Sequence, residues 1–559
     1  MTNTVSDALL ACLFAFVFGA TATAQTSPAS RTPLSPAQAA EWREDLRYMA
    51  AEMAKRHKNL YHSVSKERFE GAVAVLDERI PSLARHQVIV EMARIAALVG
   101  DGHTNIAPTR DPKIGFRSLP VRFYLFKDGL FIRAARKGEG TLAGARVVQL
   151  GRVTPEEAYS RVRDLVGRDN EMNARFFAPF LMATPEVLHA LGIIQDMEKV
   201  PLVLERQGRR FRVALQPSGP APMMPPDTDL SWWPDSGWVD MRDSAPVPVP
   251  LWLRNHPGEH YRMDYLAESR LLYLQYNRVA DKEEESIADF SRRLLALVDT
   301  GKVDRLVLDL RLNRGGNGML NRPLLVSLIK ARKLEGPGRL FVLVGRSTFS
   351  AAQFMVNDLE RYTDAVFVGE PTGGKSNSYG DSRKITLPHS GITVRVSVYW
   401  WQEEPWDTRQ WKAPDIAAEL TSAEYRANVD PGLSAVLGYR PEDPIVERMA
   451  EALARGSIPE ALRRYRRYMA DPRHAYADEE AELNQLGYRL LGERRYDQAI
   501  AILELNASEH PESANVYDSL GEAYHKAGRS DLAARNYRKA LQLDPSNANA
   551  RSMLEQLRR

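Results

Sequence analysis

The sequence predicts a multidomain α/β protein with an all-helical segment towards each end. Three observations predict it. At 559 residues the chain is too long for one hydrophobic core. Between residues 263 and 440, β-branched and aromatic runs alternate with amphipathic stretches of helical period, as α/β organisation requires. From residue 480 onward a helical pattern repeats with a period of ~34 residues.

Apolar residues make up 44% of the chain and charged residues 26%, the balance of an ordinary globular protein. The net charge of +3 gives no electrostatic reason to expect nucleic acid as a partner. The basic run Arg463-Arg464-Tyr465-Arg466-Arg467 reads as a solvated helix face.

Residues 8–20 form an apolar segment, and Ala22-Thr23-Ala24 follows as a small-x-small cleavage site. Residues 1–24 therefore read as a signal peptide, too short to span a bilayer. Export to the periplasm or the extracellular space is expected, with no stable membrane span after cleavage. Cys12 is the only cysteine, and Leu9-Leu10-Ala11-Cys12 leaves lipidation open. A chain cleaved after residue 24 has no disulfide, thiol nucleophile or thiolate metal site.

A helical N-terminal domain is expected over 35–112. Ser35-Pro36 opens its first helix, and Trp42, Leu46, Met49 and Met53 recur at helical spacing. Two more helices fit 66–78 and 86–99, ahead of Asp101-Gly102-His103-Thr104. Residues 116–215 change to strands, with a turn at Lys127-Asp128-Gly129 and a mostly helical insertion at 170–198. Residues 216–262 are a Pro- and Trp-rich connector, with Trp232 and Trp233 packed on a neighbouring domain. Over 263–440, strands are expected near 270–276, 305–310, 339–345, 365–369, 383–387 and 392–400. Helices are expected near 282–299, 318–332 and 350–361.

A helical linker over 441–479 precedes the repeat. Leu486, Gly487, Leu490, Ala499 and Leu503 share a register with Leu520, Gly521, Tyr524, Ala533 and Tyr537. Small residues where two helices touch, large ones between repeats and Pro511 and Pro545 at the ends match the tetratricopeptide pattern. Residues 480–559 thus read as tetratricopeptide repeats with a capping helix, a module for protein contact or packing.

Ser350 is the candidate nucleophile. It follows the apolar run Leu340 to Val344 and precedes a helix beginning at Ala351. A helix N-terminus offers unpaired N–H groups and positive potential. An oxyanion beside Ser350 can take the Ala351 N–H, with a second donor from Gly315 or Gly316. Alone, such a serine is more often a helix cap. Lys375 follows in Gly373-Gly374-Lys375, and a lysine serves as base only when neutral.

Read jointly, this region resembles the tail-specific, or C-terminal-processing, serine peptidases. The resemblance rests on Leu308-Asp309-Leu310-Arg311 with Gly315-Gly316, then Phe349-Ser350-Ala351-Ala352-Gln353. It continues through Val368-Gly369-Glu370-Pro371-Thr372-Gly373-Gly374-Lys375, Pro414-Asp415-Ile416 and Asp430-Pro431. It implies a crotonase-like catalytic domain over 263–440, a PDZ-like domain over 116–215, Ser350 as nucleophile and Lys375 as base. Some relatives use a histidine from a motif like Gly102-His103-Thr104, which leaves three readings of His103: an assistant to Ser350, a replacement for Lys375, or a loop histidine bonded to backbone. Gln353 stands where the family often has an acid, and Arg361 replaces another.

The expected activity is hydrolysis of polypeptide or peptide substrates by an exported serine endopeptidase. No metal or organic cofactor is implied: there is no His-Glu-x-x-His pattern, and the 11 histidines are scattered. Gly369 to Ser376 also fits the P-loop pattern, but the residues after it read as loop and strand, where phosphate binding needs a helix. A non-catalytic peptide-binding or scaffold protein on a decayed peptidase domain stays open as the alternative.

Overall fold

Ser35 opens the first helix as expected. Its hydroxyl accepts the Gln38 N–H and the Gln38 side chain returns to the Ser35 N–H, which satisfies two of the helix's orphan donors. The computed structural model describes residues 33–109, 111–219, 232–254 and 258–557. The expected signal peptide and Cys12 lie outside the described residues.

Three helices, Pro36–Arg56, Lys66–Arg79 and Arg85–Ala97, precede a six-stranded antiparallel sheet. Five strands run in sequence order: Val121–Phe126, Gly129–Arg136, Arg146–Leu150, Val200–Arg206 and Arg209–Leu215. Trp238–Asp240 pairs with the second. Between the third and fourth come the helix Pro155–Val162 and then Glu171–Met182 and Pro185–Ala190, which fall in the expected helical insertion. The N-terminal helices and this sheet, expected as separate domains, share one continuous hydrophobic core from Trp42 and Leu46 through Ile132 to Leu204.

The second sheet has the order Ile416–Ala417, Val366–Gly369, Leu340–Val344, Arg305–Asp309, Leu271–Tyr276, Tyr261–Leu266. Its pairs are parallel except at the Tyr261–Leu266 edge. Leu340–Val344 is buried at every residue, which explains its unbroken apolar sequence. Helices Ile287–Asp299, Arg322–Lys330 and Ala351–Tyr362 contribute Phe290, Leu324 and Met355 to the core on one face. Val436, from the helix Pro431–Gly438, joins the core on the other.

The single strand expected over 392–400 is two. Thr393–Val396 pairs with Arg383–Thr386, and Tyr399–Gln402 pairs with Asn377–Gly380. The break falls at buried Ser397, whose N–H goes to Thr104 Oγ1 and whose hydroxyl goes to Asp101 Oδ1. Those bonds tie the chain to the Asp101 loop and end the ladder. Asn377–Gly380 also explains why the P-loop look-alike is not one: a strand, not a helix, follows Lys375.

Seven helices from Ile445–Ala454 to Ala548–Gln556 build the C-terminal body. Met449 and Tyr465 of the linker helices pack in the same core as Leu486, Leu503, Leu520 and Tyr537. The linker thereby covers the first repeat's open face. Gly487 and Gly521 are required there, since a β-carbon would lie 2.6 Å from Leu503 and 2.9 Å from Tyr537.

Candidate active site

Parallel strands direct their carboxyl ends to one edge, and loops there carry sites in open α/β sheets. Arg305–Asp309 leads to Gly315-Gly316, Leu340–Val344 leads to Ser350, and Val366–Gly369 leads to Lys375. Three neighbouring strands thus deliver the candidate residues to one edge.

Ser350 sits between strand and helix with φ 57° and ψ −128°, a region that costs a non-glycine residue about 1–3 kcal/mol. Its hydroxyl makes no capping bond to the helix that follows. Instead, Ser350 Oγ lies 3.2 Å from His103 Nε2. The strained turn is held from both sides. Thr348 Oγ1 donates to the Leu310 carbonyl, the Phe349 N–H goes to the Asn313 carbonyl, and Asn321 donates to the Ala351 carbonyl.

Gly315 lets this turn come close. With φ 100°, its absent β-carbon would lie 2.8 Å from Ser350 Cβ and 2.9 Å from the Ala351 nitrogen. The Gly315 N–H, however, is bound to Asn313 Oδ1 at 2.8 Å, so it does not point at an oxyanion. Among the described residues, no hydrogen bond takes up the N–H of Gly316 or Ala351. Gly316, Ser350 and His103 border one cavity of about 240 Å³, whose apolar wall includes Ile106, Leu165, Phe177 and Leu181.

The His103 ring stacks on Phe349 with centroids 4.6 Å apart. Burial holds its pKa below the ordinary histidine value, with the Asp101 carboxylate opposing. The imidazole is therefore neutral at neutral pH. The Tyr379 carbonyl favours a ring proton, without the geometry of a full hydrogen bond. Asp101 Oδ1 fixes the loop by accepting the N–H groups of His103 and Thr104 and the Ser397 hydroxyl. Burial works against the Asp101 charge, yet the His57 ring and the Ser397 hydroxyl hold its pKa below the usual carboxylate range.

Lys375 stands apart from this pair. Among the described residues no hydrogen bond joins it to Ser350. Its backbone N–H and its charge act on Asp169, and its charge acts on His62. Of the two partners the resemblance offered Ser350, the structure brings His103 to it and leaves Lys375 without a hydrogen bond to it.

Asp169 and Asn170 are the residues sequence reasoning missed. Asp169 Oδ1 accepts the Gly102 N–H at 2.7 Å. Burial, aided by the Asp101 charge, pushes the Asp169 pKa up to about 7. Asn170 caps the helix Glu171–Met182 through the Asn173 N–H. Its amide also donates to the carbonyls of Thr372, Gly374 and Gln410 at 3.0, 3.2 and 2.8 Å. Its place before a helix signalled the cap; nothing local signalled the long-range bonds.

The remaining motif residues are accounted for by structure. Arg311 bridges Asp309 and Asp430, and Arg346 pairs with Glu370 at 2.6 and 2.7 Å while reaching the Leu125 carbonyl. Gln353 donates to Asn357, which donates to the Ser376 carbonyl, so an amide fits where an acid was expected. His57, His62 and Asp101 place donor atoms within 4.8 Å of one another, which suggests a metal site. The hydrogen bonds oppose it. His57 Nδ1 accepts the Asn59 N–H, which puts the ring proton on Nε2, facing Asp101 Oδ2 at 2.8 Å. A metal on Nε2 would force that proton against the Asn59 N–H.

Residues 485–546 match the tetratricopeptide repeat family. No curated protein matches the chain in sequence. Among solved structures, a mutant of CPAF is similar over 72% of this chain and 99% of its own, with a TM-score of 0.49 and 11% identity. Mature CPAF is similar over 75% and 98%, with a TM-score of 0.47 and 11% identity. The photosystem II D1 C-terminal processing protease is similar over 71% and 97%, with a TM-score of 0.32 and 16% identity. Among the described residues no helix is long and apolar enough to cross a membrane.

Proposed function

We propose that this chain is an exported serine endopeptidase in which Ser350 is the nucleophile and His103 the general base. One observation carries the reading: a strained serine at a helix N-terminus spends its hydroxyl on a half-buried, neutral imidazole rather than on its helix. Ser350 Oγ attacks the scissile carbonyl carbon as His103 Nε2 takes the hydroxyl proton. The oxyanion that forms is met by the N–H groups of Gly316 and Ala351. His103 then gives its proton to the leaving amine as the C–N bond breaks. Water then attacks the acyl carbon as His103 takes its proton, and His103 returns that proton to Ser350 Oγ as the Oγ–C bond breaks.

Lys375 is not the base in this reading; its charge acts on Asp169. The carboxyl edge of the parallel sheet supports the crotonase-like reading of residues 263–440, and the antiparallel sheet supports the PDZ-like reading of 116–215. The tetratricopeptide body is a contact module outside the chemistry.

The test is hydrolysis of an unstructured protein and of an activated ester by the wild-type chain and by Ser350→Ala, His103→Ala and Lys375→Met. Loss in the first two and retention in the third is the expected result. Tight peptide binding with no hydrolysis by any version would favour the scaffold reading. Loss confined to Ser350→Ala and Lys375→Met would return the base to lysine.

A further inference from the structure

The strand Tyr399–Gln402 is exposed at all four residues, and three of them are aromatic. Tyr399 is 56% exposed, Trp400 39% and Trp401 37%. Isolated exposed apolar side chains are ordinary; a contiguous aromatic run marks a contact surface. Strand alternation puts Tyr399 and Trp401 on one face and Trp400 on the other. The rings agree: Trp400 lies against Tyr379 at 4.5 Å, and Tyr399 and Trp401 are 6.2 Å apart.

The Trp401 face leads to the reacting pair. Trp401 meets Phe354 with centroids 5.7 Å apart, and Phe354 lies one helical turn beyond Ser350. On its other side is Gly380. The place a Gly380 β-carbon would take is 3.2 Å from Trp401 Cδ1 and 4.0 Å from His103 Cε1. The indole and the imidazole thus flank the same position, where glycine has no side chain. Met319, 79% exposed, follows Gly318, which packs against the Phe354 ring. Phe354, Trp401, Tyr399 and Met319 carry no charge, and none of them lines the cavity beside Ser350.

We infer that this aromatic shelf is a second substrate subsite, binding an aromatic or large aliphatic side chain of an extended polypeptide a few residues from the scissile bond. The inference rests on the reading of Ser350 and His103 as the hydrolytic pair. Continuity with that pair selects the occupant: Phe354 lies one helical turn beyond Ser350 and Trp401 packs on it, within reach of an extended peptide whose bond lies over Ser350. Rings without a cation select an apolar side chain over a carboxylate.

The experiment uses alanine- and serine-based peptides that differ only in the position of one phenylalanine, with a small aryl ester as control. Wild type, Trp401→Ala, Trp401→Phe, Tyr399→Ala and Ser350→Ala are compared. Phenylalanine at one fixed distance from the cleaved bond should lower KM about 10-fold in the wild type. Trp401→Ala should lose that preference with kcat kept, Trp401→Phe should keep it, and Tyr399→Ala should weaken it. Ester hydrolysis should be unchanged in every shelf variant. A preference intact in Trp401→Ala overturns the inference. So does ester hydrolysis that falls together with peptide hydrolysis, since Trp401 would then merely support His103. Ester hydrolysis undiminished in Ser350→Ala overturns the hydrolytic pair itself, a distinguishable failure.

Discussion

Asp169 accepts the N–H of Gly102 at 2.7 Å, one residue before the imidazole that touches Ser350. A carboxyl just ahead of the helix Glu171–Met182 thereby anchors the Asp101–Thr104 loop. Its neighbour Asn170 holds the loop that carries Lys375. Two adjacent residues brace both candidate bases.

Asp169 makes stability pH-dependent with a definite sign. Its folded pKa of about 7 lies above the ordinary carboxylate value, so the folded state holds its proton more tightly. Its contribution is full below the unfolded pKa and is lost as pH rises through the folded one, at up to about 1.4 kcal/mol per pH unit. Asp169→Asn keeps an acceptor for Gly102 and cannot ionise. The melting temperature of wild type should fall relative to Asp169→Asn between pH 5 and 8, in thermal scans across that range; parallel curves would contradict this account.

Asn170→Ala removes a helix cap and a donor to three buried carbonyls. A cap is worth about 1 kcal/mol, and unsatisfied buried carbonyls add to it. Denaturant titration should show a loss of about 2–4 kcal/mol. Asn170→Asp keeps the cap but loses the donor, so it should recover only part.

Gly315→Ala tests the closeness of the two loops. A methyl group there meets Ser350 Cβ at 2.8 Å and the Ala351 nitrogen at 2.9 Å, at a φ that alanine resists. Steady-state kinetics should show kcat down on the order of 100-fold, the scale of a lost oxyanion donor. Far-ultraviolet circular dichroism should stay as in wild type.

The acid limb of kcat/KM reports the base in the free enzyme. Burial lowers the His103 pKa, so that limb should lie below the ordinary histidine value of about 6.5, with activity falling as pH falls through it. Lys375→Met should leave the limb in place. Its disappearance in that variant would contradict the assignment to His103.

Much of this was legible in the sequence. Apolar runs such as Leu340 to Val344 announced the parallel strands, and the glycines after Asp309 announced a close backbone approach. Ser35 announced its helix, and the register of Gly487 with Gly521 announced the repeat. The sequence offered both Lys375 and His103 as partners of Ser350 but could not choose between them, because His103 and Ser350 stand 247 residues apart and only tertiary packing unites them. The break at Ser397 was hidden for the same reason, since its partners Asp101 and Thr104 lie in the N-terminal segment. The exposure of Trp400 and Trp401 had no signal in the sequence, since it follows from a two-stranded pairing with Asn377–Gly380.

The most direct measurement is covalent capture of the nucleophile by a fluorophosphonate, with the labelled residue found by peptide mass spectrometry. Labelling at Ser350 is expected in wild type and Lys375→Met and is expected to collapse, by at least about 100-fold in rate, in His103→Ala. Rapid labelling of Ser350 in His103→Ala, with none in Lys375→Met, would contradict the account.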